Sequence, residues 1–273
     1  MVQRDHQKRG FGYATAVFAI SILILSSFIS LYLSIFYVLL ELPGPQDMIA
    51  VLSQPALEGH ISMWAVDPGE QSMLALVGME GALPVLDEQR PQSDGLAVVT
   101  NNANGNKIDT FLHRTVTYSA SYDAEIGFVQ SIVEVTLTNN APAAGLPDYV
   151  IGNKVDLPKG WNRTLLSVYS PLTLVGMTLD GEGVPTESER ELGWNVYTSA
   201  ADVPPGESVT FLFTFDGTVK PGPYSLVYRP QGLPLADQLT VDVVNSAGDS
   251  IVSFNGEVGR RTVFDANGVR AWR

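Results

Sequence analysis

The sequence predicts a mainly β protein: an N-terminal transmembrane helix, a short helical neck, and an immunoglobulin-like antiparallel β-sandwich as ectodomain. Three observations carry this. Residues 11–40 contain no charged side chain. From Gly95 onward apolar residues recur at period two in short runs, the pattern of strands with one face buried. Turn-forming clusters separate those runs at roughly 8–12-residue spacing, as in sandwiches.

Residues 1–10, "MVQRDHQKRG", set Arg4, Lys8 and Arg9 against Asp5 alone and predict a cytoplasmic tail. The run "FGYATAVFAISILILSSFISLYLSIFYVLL", residues 11–40, is about 45 Å long as a helix at about 1.5 Å per residue. A bilayer core is about 30 Å thick, so the run can cross it once. Tyr13, Tyr32 and Tyr37 are residues suited to the interfaces. Basic residues before the run, with Glu41 and Asp47 after it, predict an inside N-terminus and an extracytoplasmic C-terminal domain. A cleaved signal would have an apolar stretch of about 7–15 residues and a small-residue site. This run exits instead into "ELPGPQ", so a retained single-pass anchor in the plasma membrane is expected.

Residues 41–94 read as linker and neck. Pro45 opens a helix carrying Met48, Ile49, Val51 and Leu52 that should end near Pro55. In "WAVDPGEQSMLALVGM", Asp67 is placed to cap a second helix. Pro68 takes the first helical position, and Glu70 follows three residues after the cap. Leu74, Leu76 and Val77 should form its buried face, and Gly78 or Gly81 its end.

The ectodomain is expected over 95–273, with 245–273 as C-terminal extra strands. "TFLHRTVTYSASY" alternates Val116, Tyr118, Ala120 and Tyr122 against Thr115, Thr117, Ser119 and Ser121. "QSIVEVTLTN" alternates Val133, Val135 and Leu137, leaving Ile132 outside. "GLAVVTN", "RTLLSVYS", "TLVGMTLD", "GWNVYTSA", "SVTFLFTFDG", "PYSLVYRP", "QLTVDVVN", "DSIVSFNG" and "RRTVFDA" continue the strands. Turns are expected at Asp180-Gly181, "VPPGES", "KPGPY", Ala247-Gly248-Asp249 and Asn255-Gly256. Val209, with Leu212 or Phe213, should face the core.

Composition excludes several chemistries. Three of 16 basic and one of 29 acidic residues lie in the first ten, so the remainder carries 13 against 28, a net of −15. An acidic surface repels phosphate backbones, so no nucleic-acid partner is expected. The chain has no cysteine, which removes thiol nucleophiles, disulfides and cysteine-ligated zinc.

Several segments carry a further signal: "HISMWAVDPGEQSMLALVGMEGALP", "GLAVVTNNANGNKIDTFLHRTVTYSASYD", "VTLTNNAPAAGLPDYVIGN", "LPKGWNRTLLSVYSPL" and "ELGWNVYTSAADVPPGESVTFLF". In this order they resemble the C-terminal region of the actinobacterial membrane-anchored family called domain of unknown function 4012. Family members carry a large extracytoplasmic region after the membrane helix. Here only residues 41–59 occupy that place. The resemblance implies an anchored envelope protein tied to surface polysaccharide or wall biology, and it carries over no enzymatic role.

Two stretches are candidate sites. "TNNANGNKID" offers a polar pocket of Asn101, Asn102, Asn104, Asn106, Lys107 and Asp109 able to hydrogen-bond a sugar. The plainer reading is turn chemistry, since Asn and Gly accept positive φ and satisfy turn amides. The second is Asn139–Thr164, the longest break in the strand pattern. Its Tyr149, Val150, Ile151, Asn153 and Trp161 form either a recognition loop or a flap plugging one end of the sandwich. His60 and His113 lack metal-ligand spacing, and no GxSxG elbow is present. Asp87-Glu88 and Glu187, Glu189 and Glu191 read as solvated loops. Asn162-Arg163-Thr164 matches a glycosylation sequon.

The expected protein is therefore a membrane-anchored structural or binding module of the cell envelope. It is expected to work with an envelope protein or glycan and to need no cofactor or metal. An accessory enzyme acting on wall or capsular polysaccharide is the alternative.

Overall fold

The computed structural model describes residues 45–76, 78–83, 94–154 and 156–271. The chain divides into two compact units, Met1–Ser53 and Gln54–Arg273. The expected tail and transmembrane helix lie outside the described residues. Among the described residues no helix is long and apolar enough to cross a membrane.

Two helices form the neck, α1 (Pro45–Leu57) and α2 (Pro68–Leu76). Helix α1 runs past Pro55 by two residues. Helix α2 starts as its sequence dictates: Asp67 Oδ1 accepts from the backbone N–H groups of Gly69 and Glu70, at 2.9 and 3.0 Å. Gly78, at φ +74°, closes it, with Met79 N–H bonded to Leu74 O and Gly78 N–H to Ala75 O, a left-handed stop that glycine adopts freely. Of the face expected to be buried, Leu74 is half-buried and Leu76 is uncovered. Helix α2 buries no residue completely, and Leu76 is 80% exposed. Val77 lies outside the described residues.

The remainder is β1 (Asp94–Asn102), β2 (Leu112–Asp123), β3 (Phe128–Asn139), helix α3 (Asp148–Ile151), β4 (Asn162–Ser170), β5 (Thr173–Leu179), β6 (Glu182–Gly183) and β7 (Glu187–Glu191). Then follow β8 (Trp194–Val203), β9 (Ser208–Thr218), β10 (Ser225–Arg229), β11 (Asp237–Asn245), β12 (Ser250–Val258), β13 (Thr262–Asp265) and β14 (Gly268–Ala271). They form two seven-stranded sheets, in order β14-β13-β10-β1-β4-β8-β7 and β12-β11-β2-β3-β9-β5-β6. We call these the first and second sheets. The C-terminal strands expected over 245–273 extend one edge of each sheet.

The core lies between the sheets, where apolar side chains of the alternating strands meet. Leu96, Val98, Leu226 and Tyr228 from the first sheet face Val116, Val133, Val135, Phe211 and Phe213 from the second. The sequence alternation of β2 and β3 holds: Val116, Tyr118, Ala120 and Tyr122 are buried, and Ile132 is 45% exposed. In β9 the buried residues are Val209, Phe211, Phe213 and Phe215, with Leu212 on the other face.

Strands β1, β10 and β13 of the first sheet are covered on their second face as well. Ala97, Val227 and Val263 point away from the core yet are at most 1% exposed. Residues 78–83 of the neck lie over that face. Arg229 donates to Gly81 O at 3.1 Å, and Arg261 donates to Ala82 O.

Three expectations are corrected. The sandwich is not wholly antiparallel, since β1 pairs with β10 and β2 with β11 in parallel. Asn255-Gly256 is no turn but the middle of β12, with Gly256 opposite Leu239. Glu187–Glu191 is a strand, fully exposed at the edge beside β8. An edge strand of charged residues discourages pairing with other chains, which explains an acidic run in strand conformation. Asp87-Glu88 lies outside the described residues.

Candidate functional site

The two stretches singled out from sequence meet at one end of the sandwich. Strand β1 ends at Asn102 and β2 begins at Leu112 in the opposite sheet, so the "NNANGN" segment is a crossing between sheets rather than a hairpin. Gly105 turns it at φ +65°, and a 3₁₀ turn (Ile108–Phe111) delivers the chain to β2. The asparagines fix the crossing. Asn102 Oδ1 accepts from Asn104 N–H at 2.8 Å, and Asn102 Nδ2 donates to Asn106 Oδ1 at 2.6 Å.

The same side chains hold the second stretch. Asn106 Nδ2 donates to Gly152 O at 2.8 Å. The buried Asn104 donates to Asn153 Oδ1, and Asn153 donates to Pro158 O. Lys107 N–H bonds to Val150 O at 3.2 Å. Beneath them, Ile108, Ala141 and Ile151 form a small buried cluster separate from the main core, with Phe111 and Val150 against it. Asn139, wholly buried, pins both ends of the long connection. Its Nδ2 donates to Gly160 O at 2.7 Å and Val203 O at 2.8 Å, and its Oδ1 accepts from Ala141 N–H at 3.0 Å.

Each predicted residue can thus be placed. Asn102, Asn104, Asn106 and Asn153 form one network; Asn101 stands apart, exposed on β1. Lys107 is exposed. Asp109 accepts from Asn162 Nδ2 at 2.9 Å, and burial pushes its carboxyl above the usual range against the lowering effect of that bond. Ile151 is fully buried, Val150 and Trp161 are half-buried, and Tyr149 is 72% exposed on α3. The plug and recognition-loop readings fall on different residues of one segment: Ile151 faces in, and Tyr149 faces out. The sequon residue Asn162 is fully buried in β4, so its side chain is inaccessible to modification in the folded protein.

Two buried polar centres were missed. Arg114 and Asp237, each with a side chain 1% exposed, form a bidentate pair at 2.6 and 2.8 Å. Tyr228 donates to Asp237 Oδ2 at 2.5 Å, and Gln231 Oε1 accepts from Arg114 at 3.2 Å. Burial alone would lower the Arg114 pKa; the facing charge of Asp237 outweighs it and holds the pKa above its ordinary value. The signal was visible, because both residues stand in the inward phase of their strands. Asp94 is the second centre. It accepts from Tyr118, from Tyr224 at 2.8 Å and from Gly95 N–H at 2.7 Å. Burial raises its pKa despite those three bonds. Both centres tie one sheet to the other and offer no open face for a substrate. His113 is exposed on β2, and His60 stands 3.5 Å from Glu58.

No protein-family profile matches the chain, and no curated protein matches it. Among solved structures it is similar to a putative nutrient binding protein from Legionella pneumophila, at 9% identity and TM-score 0.36, over 67% of each chain. It is also similar to a mutant M1 zinc metallopeptidase from Deinococcus radiodurans, at 10% identity and TM-score 0.28, over 56% of this chain and 42% of that one. Likenesses at this level carry no argument about what this chain does.

Proposed function

We propose that this protein is a membrane-anchored, extracytoplasmic binding module of the cell envelope. In this reading it has no catalytic chemistry of its own, and it contacts a glycan or envelope protein through the Asn139–Thr164 end of the sandwich. One observation carries the reading: Tyr149, 72% exposed, stands on a segment whose backbone is held on both sides. Val150 O is bonded to Lys107 N–H, Ile151 O to Gly160 N–H, and Gly152 O to Asn106. An exposed aromatic on a pre-ordered support binds without losing much conformational entropy. Aromatic rings serve as anchors in protein interfaces and as stacking surfaces for sugars. The uncharged run 11–40, with basic residues before it, supports the anchor.

The test is a pair of variants of the full chain, Tyr149→Ala and Trp161→Ala, each melted and each sedimented with envelope polysaccharide and with envelope extracts. Tyr149→Ala should change stability by about 0.5 kcal/mol or less and weaken binding by about 2 kcal/mol. Trp161→Ala, from a half-buried site, should lower the melting temperature. Binding by Tyr149→Ala equal to the parent's would remove the proposed contact surface. The anchor has its own test: cysteines introduced at Gln3 and Ser246 and probed with an impermeant thiol reagent in intact cells. Labelling should occur at 246 and not at 3; the reverse pattern would overturn the topology.

A further inference from the structure

On the outer face of the first sheet, a cavity of about 400 Å³ opens between the neck and strands β10, β13 and β14. None of its lining residues belongs to the Asn-rich end or to the Asn139–Thr164 connection. Three arginines line it, Arg229, Arg260 and Arg261, in a chain whose residues beyond the tenth carry a net charge of −15. Its remaining walls are small or apolar, Leu57, Ala75 and Leu76 among them. A concentration of guanidinium groups against apolar walls runs counter to the composition of the whole.

Two of these arginines donate to backbone carbonyls. Arg229 donates to Gly81 O and to Pro230 O, each at 3.1 Å. Arg261 donates to Ala82 O. Arg261 is also paired with Glu80, at 3.9 Å, and among the described residues no carboxylate lies within 4.0 Å of Arg229. Glu58, near Gly259, is engaged by Gln54 and His60. Gly59 keeps the space for Arg229: at φ +78° it has no Cβ, and one added there would stand 3.1 Å from Arg229 Nη1. Burial lowers the Arg229 pKa, and the nearby charge of Glu80 offsets this only in part. The cation is thus partly stripped of water without a full counter-charge. Such a guanidinium gains most from an oxyanion that accepts two parallel hydrogen bonds.

We propose that this cavity binds a phosphate group, with Arg229, Arg260 and Arg261 as its ligands and the apolar rest of the ligand against Leu57 and Leu76. The phosphate can come from an anionic lipid headgroup or from a soluble phosphate ester. The proposal does not depend on the contact surface at Tyr149 or on the anchor, because its test is read in detergent.

The full chain, purified in zwitterionic micelles, is titrated with inorganic phosphate, with dihexanoyl phosphatidylglycerol and with dihexanoyl phosphatidylcholine. Melting temperature and calorimetric binding are both followed. Phosphate and phosphatidylglycerol should raise the melting temperature, and phosphatidylcholine should not. Tighter binding of phosphatidylglycerol identifies the lipid source, and tighter binding of inorganic phosphate the soluble one. Arg229→Gln should weaken binding about tenfold, the loss of one charge-assisted bond. Arg260→Gln, at an exposed position, should weaken it less. Glu80→Gln should tighten it, an effect that a purely structural role for the arginines does not produce. Should Arg229→Gln fail to fold, Arg260→Gln and Glu80→Gln decide. Absence of binding by either anion, equal binding of phosphatidylcholine, or variants that bind as the parent does would each overturn the proposal.

Discussion

At the scale of single residues, burial decides the chemistry of the charged groups. Arg114 and Asp237 are taken out of water together, and the facing charge of Asp237 holds the Arg114 pKa above its ordinary value against the effect of burial. Removing one partner of such a pair leaves an uncompensated charge, which costs about 3–5 kcal/mol. Asp94 differs, since its three partners are neutral donors. Desolvation outweighs them, so the fold favours its protonated form. The sign follows from linkage. A carboxyl whose folded pKa stands above 3.8 contributes stability that is fully present below that pH. The contribution is lost as pH rises through the raised value. Asp94→Asn imitates the neutral acid and has no such dependence. The difference in unfolding free energy, parent minus variant, should therefore fall as pH rises from about 4 upward, by at most about 1.4 kcal/mol per pH unit. Urea titrations of both proteins across that range measure it, and a difference independent of pH would contradict the assignment. Asp109 shifts in the same direction but is common to both proteins and cancels.

At the scale of elements, the long connection between β3 and β4 is ordered by a few buried polar atoms and one glycine. Gly160 has φ +81°, and a Cβ there would meet Pro205 Cγ at 2.8 Å and Pro142 O at 2.9 Å. Gly160→Ala combines a strained backbone with a clash, so it should destabilise by about 1–3 kcal/mol. Asn139→Ala leaves Val203 O and Gly160 O without their buried donor, at a cost of about 1–3 kcal/mol. Both losses should appear in denaturant midpoints. Hydrogen exchange should further show protection lost over 140–161 before the sheets open. Uniform loss of protection across all strands would mean that the connection is no separate unit. Helix α2 shows the opposite case. Its caps are all local, from Asp67 to Gly78, and it forms as the sequence dictates. Which of its faces is covered depends on the first sheet, which the helix sequence does not contain.

At the scale of the whole molecule, strands β1, β10 and β13 of the first sheet are buried on both sides, with the second sheet on one face and residues 78–83 over the other. Residues 43–273 made without the apolar run should therefore fold as a mainly β domain, neck included. A far-ultraviolet spectrum with a strand minimum and a cooperative melt is the expected result. A helix-dominated or unfolded chain would contradict it. Removing the neck as well, by starting at residue 94, should lower the melting temperature, since Ala97, Val227 and Val263 would then face water.

Much of this was legible in the sequence for a local reason. Period-two alternation names the inward residues of β2 and β3 because adjacent side chains of a strand point to opposite faces; in β9 it left Leu212 or Phe213 open. The Asp67 cap and the Ala247-Gly248-Asp249 turn are likewise settled by neighbours in the chain. The crossing at "NNANGN" was legible as a turn, but its docking on Asn153 and Gly152 was not, because those partners lie more than 40 residues away. Distance in sequence also hid the parallel pairs of β1 with β10 and β2 with β11. It hid the pairing of Arg114 with Asp237, though each stood in an apolar phase that marked it as buried. The arginine cavity belongs to the same class: Gly81, Arg229 and Arg261 come together only when the neck folds over the sheet. The sequence by itself determined most of the strands, though not Glu187–Glu191 or the middle of β12, and which way the side chains of β2 and β3 point, because both follow from backbone geometry over a few residues. Tertiary structure alone decided which strands are neighbours, which charges meet, and which surface stays open, because those depend on contacts between segments that carry no local sign of one another.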